Sequence, residues 1–284
     1  MYQNYREIPS PLQTIWDILD DYAATKTSIF RAVLRAAGFA AVTGILVGPY
    51  ALAGAVRPVA KRPIAKLWFR TCQRICGLRV RVRGRPHEDG PVLIAANHVS
   101  YLDIIVLGAL VDARFVAKRD VAGWPLFGLL AKLADTIFVS RDRRNAAGDS
   151  GELKGALDRG ERIILFPEGT SSNGLNVLPF KSALFSAVEP KHVNARVAMQ
   201  PVSIGYARYA DGRRLKGELT DLYAWYGDMT LAGHLMSVFG LKGCVVEVDF
   251  MPPIRPVAFP DRKSLASASE RAVRRSLLTT HRGY

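Results

Sequence analysis

Apolar and polar positions divide this chain into short segments with clear periods. Leu78 to Gly84 alternates apolar residues with arginine, the period of a strand with one apolar face. Its arginines Arg79, Arg81 and Arg83 would share the solvated face, as on a protected sheet edge. Val92 to Ala96 is continuously apolar after Gly90-Pro91, which predicts a buried strand. An apolar helix over Leu102–Val111 follows, then a short strand at Arg114–Lys118. Trp124–Leu133 reads as a helix, Thr136–Arg141 as a strand, Ser150–Leu157 as a helix and Arg162–Glu168 as a strand. Further on, Ala224–Phe239 is a helical stretch and Val245–Phe250 alternates as a strand. Ser264–Leu278 is a basic helix from which no catalysis is expected. Strands alternating with helices predict an α/β fold, a single mixed, largely parallel sheet flanked by helices.

The N-terminal part follows another pattern. Ala36 to Val56 is 21 residues without a charge. As a helix it would run roughly 30 Å, about the depth of a bilayer core. Arg31 and Arg35 precede it; Arg57, Lys61, Arg62 and Lys66 follow. Positive charge at both ends predicts a helical pair kinked at Pro49, dipping into one leaflet with basic ends on anionic headgroups. A full crossing of the bilayer and a buried core helix are the competing readings. Leu12–Tyr22 would form an amphipathic helix started by Pro11. The division expected is residues 1–64 as N-terminal membrane-associated helices and 65–284 as the α/β domain. No basic-then-apolar leader with a cleavage site opens the chain, so no secretory signal is expected.

Composition narrows the partners. With 49% hydrophobic and 23% charged residues over 284 positions, the chain can build a real core. Lys and Arg number 39 against 25 acids, a net charge of +14, which suits an anionic partner. No P-loop or zinc-finger motif occurs, and aromatics are not interleaved with the basic residues as in RNA-binding motifs. Membrane or phosphate is therefore expected, and nucleic acid is not. Cys72, Cys76 and Cys244 are too sparse for a disulfide framework and point to a reducing compartment. Cys72 and Cys76 lack a nearby histidine pair, so no metal site is expected.

The chemistry gathers at strand ends. His98 leaves the buried strand as a helix begins, and Asp103 lies five residues on. A histidine can take a proton from a hydroxyl near neutral pH, and a carboxylate can fix its tautomer and stabilise the imidazolium. A substrate could bring the hydroxyl. Ser100-x-x-Asp103 also fits a helix capping box, in which Asp103 would only cap. Two other strand ends deliver Arg141 and the turn Glu168-Gly169-Thr170. If the sheet is one piece, these converge. A base then meets a guanidinium suited to an anion and a glycine turn whose N–H groups could face an oxyanion.

Together these segments resemble the PlsC-type glycerolipid acyltransferases. Asn97-His98-x-x-x-x-Asp103, Ile137-Phe-Val-Ser-Arg141, Phe166-Pro-Glu-Gly-Thr170 and Gln200-Pro201-Val202-Ser203-Ile204 match the family's four motifs in order, within roughly residues 65–255. The resemblance implies direct acyl transfer from a thioester, carried by coenzyme A or acyl carrier protein, to a lysolipid hydroxyl at a cytoplasmic membrane face. It implies no other cofactor. His98 would be the base and Asp103 its orienter. The oxyanion would meet backbone donors near His98 or Gly169. Arg141, Glu168, Gly169 and Thr170 would hold the acceptor headgroup, with Lys118 and Lys181 adding charge.

The family's usual acceptor is 1-acyl-sn-glycerol-3-phosphate, giving phosphatidic acid, and that is the first expectation. Three positions depart from the pattern. Asp135 stands where the second motif often opens with glycine, and Ala183 where glycine is frequent. Ser171 replaces an arginine that commonly serves a phosphate. Its loss points to the alternative acceptor, lyso-ornithine lipid, which lacks phosphate. A third reading is a non-catalytic, basic membrane-binding protein. Trp225, Tyr226, Leu231, Leu235 and Met236 would either line an acyl channel or pack in the core.

Overall fold

The computed structural model describes residues 26–124, 127–140, 146–215 and 221–282. Leu12–Tyr22 and Arg141 lie outside them. The first helix, α1 (Ile29–Val56), runs unbroken through Pro49. The turn comes instead at Arg57-Pro58, where Arg57 is extended at φ −153° and a short 3-10 turn, Pro58–Lys61, leads into α2 (Arg62–Ile75). So the helical pair is α1 with α2, and the kink expected within 36–56 is absent. The reason lies one residue upstream of each proline. A proline ring clashes with the preceding Cβ in helical backbone. Gly48 has no Cβ to meet the ring, and Arg57 takes the extended backbone that a following proline favours, although Arg62 stays helical ahead of Pro63 at the start of α2.

Only 11% of the most apolar window of α1 is buried, which sets aside the core-helix reading. Ile29, Phe30, Val33, Leu34, Ile45, Leu52 and Val56 all face outward. Exposed apolar surface on this scale marks α1 as a candidate membrane-associated helix. Its inner side is fixed to the domain. Phe39 packs on Trp68, whose Nε1 donates to Thr43 Oγ at 3.0 Å. Arg31 and Arg35, read from sequence as headgroup contacts, instead donate to Gly240 and Leu241 carbonyls at 3.0 and 2.8 Å. Those carbonyls end α6 (Leu231–Gly240), where cations complement the helix dipole.

Seven strands form one sheet in the order β1-β7-β6-β2-β5-β3-β4. They are β1 (Leu78–Gly84), β2 (Val92–Ala96), β3 (Arg114–Lys118), β4 (Ile137–Val139), β5 (Arg162–Leu165), β6 (Ala198–Tyr209) and β7 (Cys244–Phe250). Every neighbouring pair is parallel except β6–β7. Helices α3 (Leu102–Leu110), α4 (Phe127–Leu133), α5 (Ala146–Asp158) and α7 (Arg262–Arg282) complete the architecture with α1, α2 and α6. β2 is buried on both faces: Val92, Ile94 and Ala96 join one core, Leu93 and Ala95 the other. The first core also takes in Ala32, Phe39, Cys72 and Phe239, so α1, α2 and α6 share one side; Leu153, Leu265 and Leu277 place α5 and α7 on the other.

β6 is the longest strand and had no alternating signature in the sequence. Nearly all of its residues are buried, so no polar face marks the period. Pro201 is tolerated because the antiparallel ladder to β7 begins only at Val202. Asp135 sits in the left-handed region at φ 54°, a backbone conformation that glycine adopts at no steric cost. Here the carboxylate ion-pairs with Lys61 after α1.

Candidate active site

Parallel β2, β5 and β3 lie side by side, so their carboxyl ends open on one edge, where α/β folds place ligands. His98 follows β2, Glu168 follows β5 and Lys118 ends β3. Asn97 closes β2 by clipping it to β6: its side chain donates to Ile204 O at 2.9 Å and accepts from Ile204 N–H at 2.8 Å.

The backbone around His98 is fully bonded. His98 N–H donates to Glu168 Oε1 at 3.0 Å, and His98 O accepts from Ser172 N–H at 3.0 Å. Val99 N–H and Ser100 N–H donate to Asp103 Oδ2 at 2.7 and 3.0 Å. Val99 O accepts from Trp225 N–H at 3.0 Å, and Ser100 O from Asp103 N–H at 3.0 Å. This fixes the loop. It also removes these N–H groups as oxyanion donors. Gly169 N–H is engaged too, donating to Phe166 O at 3.0 Å. The backbone oxyanion site expected near His98 or Gly169 is therefore not formed by those groups, because the turns that create the loop consume them.

Asp103 is fully buried and makes the contacts that both roles expected from the sequence require. It caps the start of α3 through Ser100 N–H, and the same Oδ2 accepts from His98 Nδ1 at 2.8 Å. With Nδ1–H held by a carboxylate, Nε2 is left as the basic nitrogen. Oδ1 accepts from Tyr206 O–H at 2.8 Å. Burial first, then Asp103, pushes the Tyr206 hydroxyl well up, so it stays a donor. The His98 ring stacks on Phe166 at 4.1 Å and 17° and keeps 18% of its side chain accessible, enough to meet a substrate.

Glu168 is placed differently from its sequence role. It is 2% exposed, and its second oxygen accepts from Leu178 N–H at 3.2 Å. Both oxygens thus bond backbone behind His98, and the carboxyl group supports the loop instead of facing a headgroup. Burial pushes this carboxyl up to about 8, with Asp103 adding to it; the two N–H bonds and Arg274 oppose the shift. From the ordinary value of 4.5 up to about 8, the folded protein keeps a proton that the unfolded chain has lost. Stability should therefore fall as pH rises through that window. Relative to Glu168→Gln, the wild-type thermal midpoint should drop by roughly 5–10 °C across it. Thermal scans of both proteins against pH check this, and parallel curves would refute it.

Gly169, Thr170 and Lys181 come together on the open side. Gly169 holds φ 68°, and a Cβ there would meet Lys181 Nζ at 2.7 Å. Thr170 and Lys181 are exposed, and Lys118 is half-buried. Among the described residues, no three His, Cys, Asp or Glu side chains gather as a metal ion requires. Tyr101 and Trp225 flank the loop. The Tyr101 hydroxyl bonds His234 Nδ1 at 3.0 Å and its ring meets Trp225 edge-on at 5.9 Å. Tyr226 and Leu235 pack against the core, whereas Met236 is exposed. Tyr206 escaped the sequence reading, since no motif or period links it to Asp103.

Residues 79–205 match the acyltransferase family model. The chain is 39% identical over 218 residues to a lyso-ornithine lipid O-acyltransferase of Brucella abortus, covering 75% of this chain and 81% of that protein. It is 31% identical over 194 residues to a 1-acyl-sn-glycerol-3-phosphate acyltransferase of Neisseria gonorrhoeae, covering 67% and 72%. Its fold is similar to the crystal structure of the acyltransferase PlsC from Thermotoga maritima, with a TM-score of 0.65 and 21% identity over 89% of this chain and 96% of that one. With the four motifs in order along the chain and these relatives beside them, the chain belongs to the PlsC-type glycerolipid acyltransferases.

Proposed function

We propose that the protein moves an acyl group from a thioester to the hydroxyl of lyso-ornithine lipid, at a membrane that α1 contacts. The observation that carries the choice of acceptor is Ser171, where the family commonly has a phosphate-serving arginine. The 39% identity to a lyso-ornithine lipid O-acyltransferase supports it. This reading replaces 1-acyl-sn-glycerol-3-phosphate as the first expectation. The family and the intact His98–Asp103 pair speak against a non-catalytic role.

In the proposed reaction His98 Nε2 takes the acceptor's hydroxyl proton as the oxygen attacks the thioester carbonyl. Asp103 stabilises the imidazolium. The tetrahedral intermediate collapses to an ester with loss of the C–S bond, and His98 returns the proton to the leaving thiolate. Gly169, Thr170 and Lys181 form the headgroup side, with Lys118 and Arg141 adding positive charge. Coenzyme A or acyl carrier protein would bring the acyl group from the cytoplasmic side. Acceptance of a phosphate headgroup is the second reading, favoured by the 31% relative and by the net charge of +14.

Washed membranes given a labelled thioester and equal amounts of both acceptors should label ornithine lipid, with both thioester carriers run in parallel. Label only in phosphatidic acid would overturn the proposal. Ser171→Arg should raise the ratio of phosphatidic acid to ornithine lipid by about ten- to a hundredfold, since a charged hydrogen bond contributes roughly 1.5–3 kcal/mol.

A further inference from the structure

We infer that His281, near the end of α7, is a positioning residue for the acceptor, acting through a hydrogen-bond relay into the loop beside His98. The inference rests on the proposed acyl transfer and on the 169–181 segment as the acceptor side. Helix α7 lies outside residues 79–205, the part that matches the family model, and nothing in its sequence announces a role in the site.

The relay has three links. His281 Nε2 lies 2.9 Å from Gly174 O; a carbonyl only accepts, so Nε2 carries the hydrogen. Gly174 N–H donates to Ser172 Oγ at 3.2 Å. Ser172 N–H donates to the carbonyl of His98 at 3.0 Å. Gly174 itself rests on the catalytic loop. It is buried at φ 74°, and a Cβ there would stand 2.8 Å from Val99 Cγ1.

The same helix grips the far end of the segment. Phe180 N–H donates to Glu270 Oε2 at 3.0 Å, while Arg274 holds the other oxygen of Glu270 at 2.8 Å. Glu270 and His281 are about 16 Å apart along the helix axis at 1.5 Å per residue. A single rod therefore spans the segment from Gly174 to Phe180. The rod is rigid because Leu265, Ala266, Val273 and Leu277 are buried in the core.

Chemistry makes this placement matter. An arginine at position 171 could reach a headgroup oxygen by itself and tolerate a loosely set backbone. Ser171 is too short to do so. The fit of the headgroup then depends on where the backbone holds Thr170, Ser171 and Lys181, and α7 sets that.

The experiment uses the full chain in membranes and compares His281→Phe, His281→Ala and His281→Gln. Glutamine can donate to the Gly174 carbonyl; phenylalanine fills the space but cannot donate. Phe and Ala should raise the KM for the lysolipid acceptor about five- to tenfold, the scale of one hydrogen bond. The KM for the thioester should stay at its wild-type value, and the thermal midpoint of the Phe variant should fall by no more than about 5 °C. Gln should return the acceptor KM to within about twofold. An unmoved acceptor KM, an equal rise for both substrates, or Gln no better than Phe would overturn the inference while leaving acyl transfer intact. A wild-type protein that acylates neither acceptor would instead overturn the proposed function, and this inference with it.

Discussion

Replacing His98 by alanine should remove turnover and leave the protein folded in its membrane. The expected loss is on the order of 10²–10⁴-fold in kcat, the range of a general base. The fold should survive because the loop is held by backbone bonds that an alanine keeps: His98 N–H on Glu168 and His98 O on Ser172. What the variant loses is the ring, its stack on Phe166 and the proton acceptor. The side chain is 18% exposed, so its removal opens no closed cavity. Acyl transfer on washed membranes, read beside the thermal midpoint and the membrane-bound fraction, checks this. A variant retaining a tenth or more of wild-type turnover would remove His98 as the base.

The second large effect is at Asp103, where the two amide-sized and methyl-sized replacements should separate structure from chemistry. Asp103→Ala leaves Val99 N–H, Ser100 N–H and Tyr206 O–H without their acceptor in a buried place. Each such group costs roughly 1–3 kcal/mol. Together they exceed about 3 kcal/mol, a large share of the stability of a typical domain. The thermal midpoint should fall by about 10 °C or more. Asp103→Asn behaves otherwise. Three donors converge on the Oδ2 position, so the amide oxygen settles there. The amide nitrogen then faces the Tyr206 oxygen, which can accept in place of donating. The His98 tautomer is kept, and only the charge that stabilises the imidazolium is lost. Turnover should drop by about 10²-fold with the fold retained, the scale of losing one electrostatic stabiliser. Equal thermal midpoints for Ala and Asn would contradict the hydrogen-bond account. Full activity in the folded Asn variant would contradict the electrostatic one.

These variants also mark how far the sequence reaches. His98 and Asp103 were legible as a pair because they lie five residues apart, and the turn that joins them is local. Strand β1 was legible because one exposed face leaves a period of two; β2 was legible as an apolar run. Helix α1 was legible because 21 uncharged residues need an apolar surrounding. The four motifs, in order and spacing, carried the family.

Tertiary structure decided the rest. β6 hides its period because it is buried between β2 and β7. Tyr206 reaches Asp103 from that strand, a pairing created by sheet order alone. Glu168 was visible as a motif residue, but only the path of the 169–181 segment turns its carboxylate inward onto His98 and Leu178 N–H. The turn at Pro58 was in principle local, since Arg57 and Gly48 differ by a Cβ; the apolar run drew attention to Pro49 instead. Ser171 told of a missing arginine, yet how the backbone there is held depends on His281 and Glu270 of α7. Periodicity and short motifs record contacts within a turn or two of chain. Hydrogen bonds between distant segments leave no such record, because either partner alone is an ordinary polar residue until the sheet brings them together.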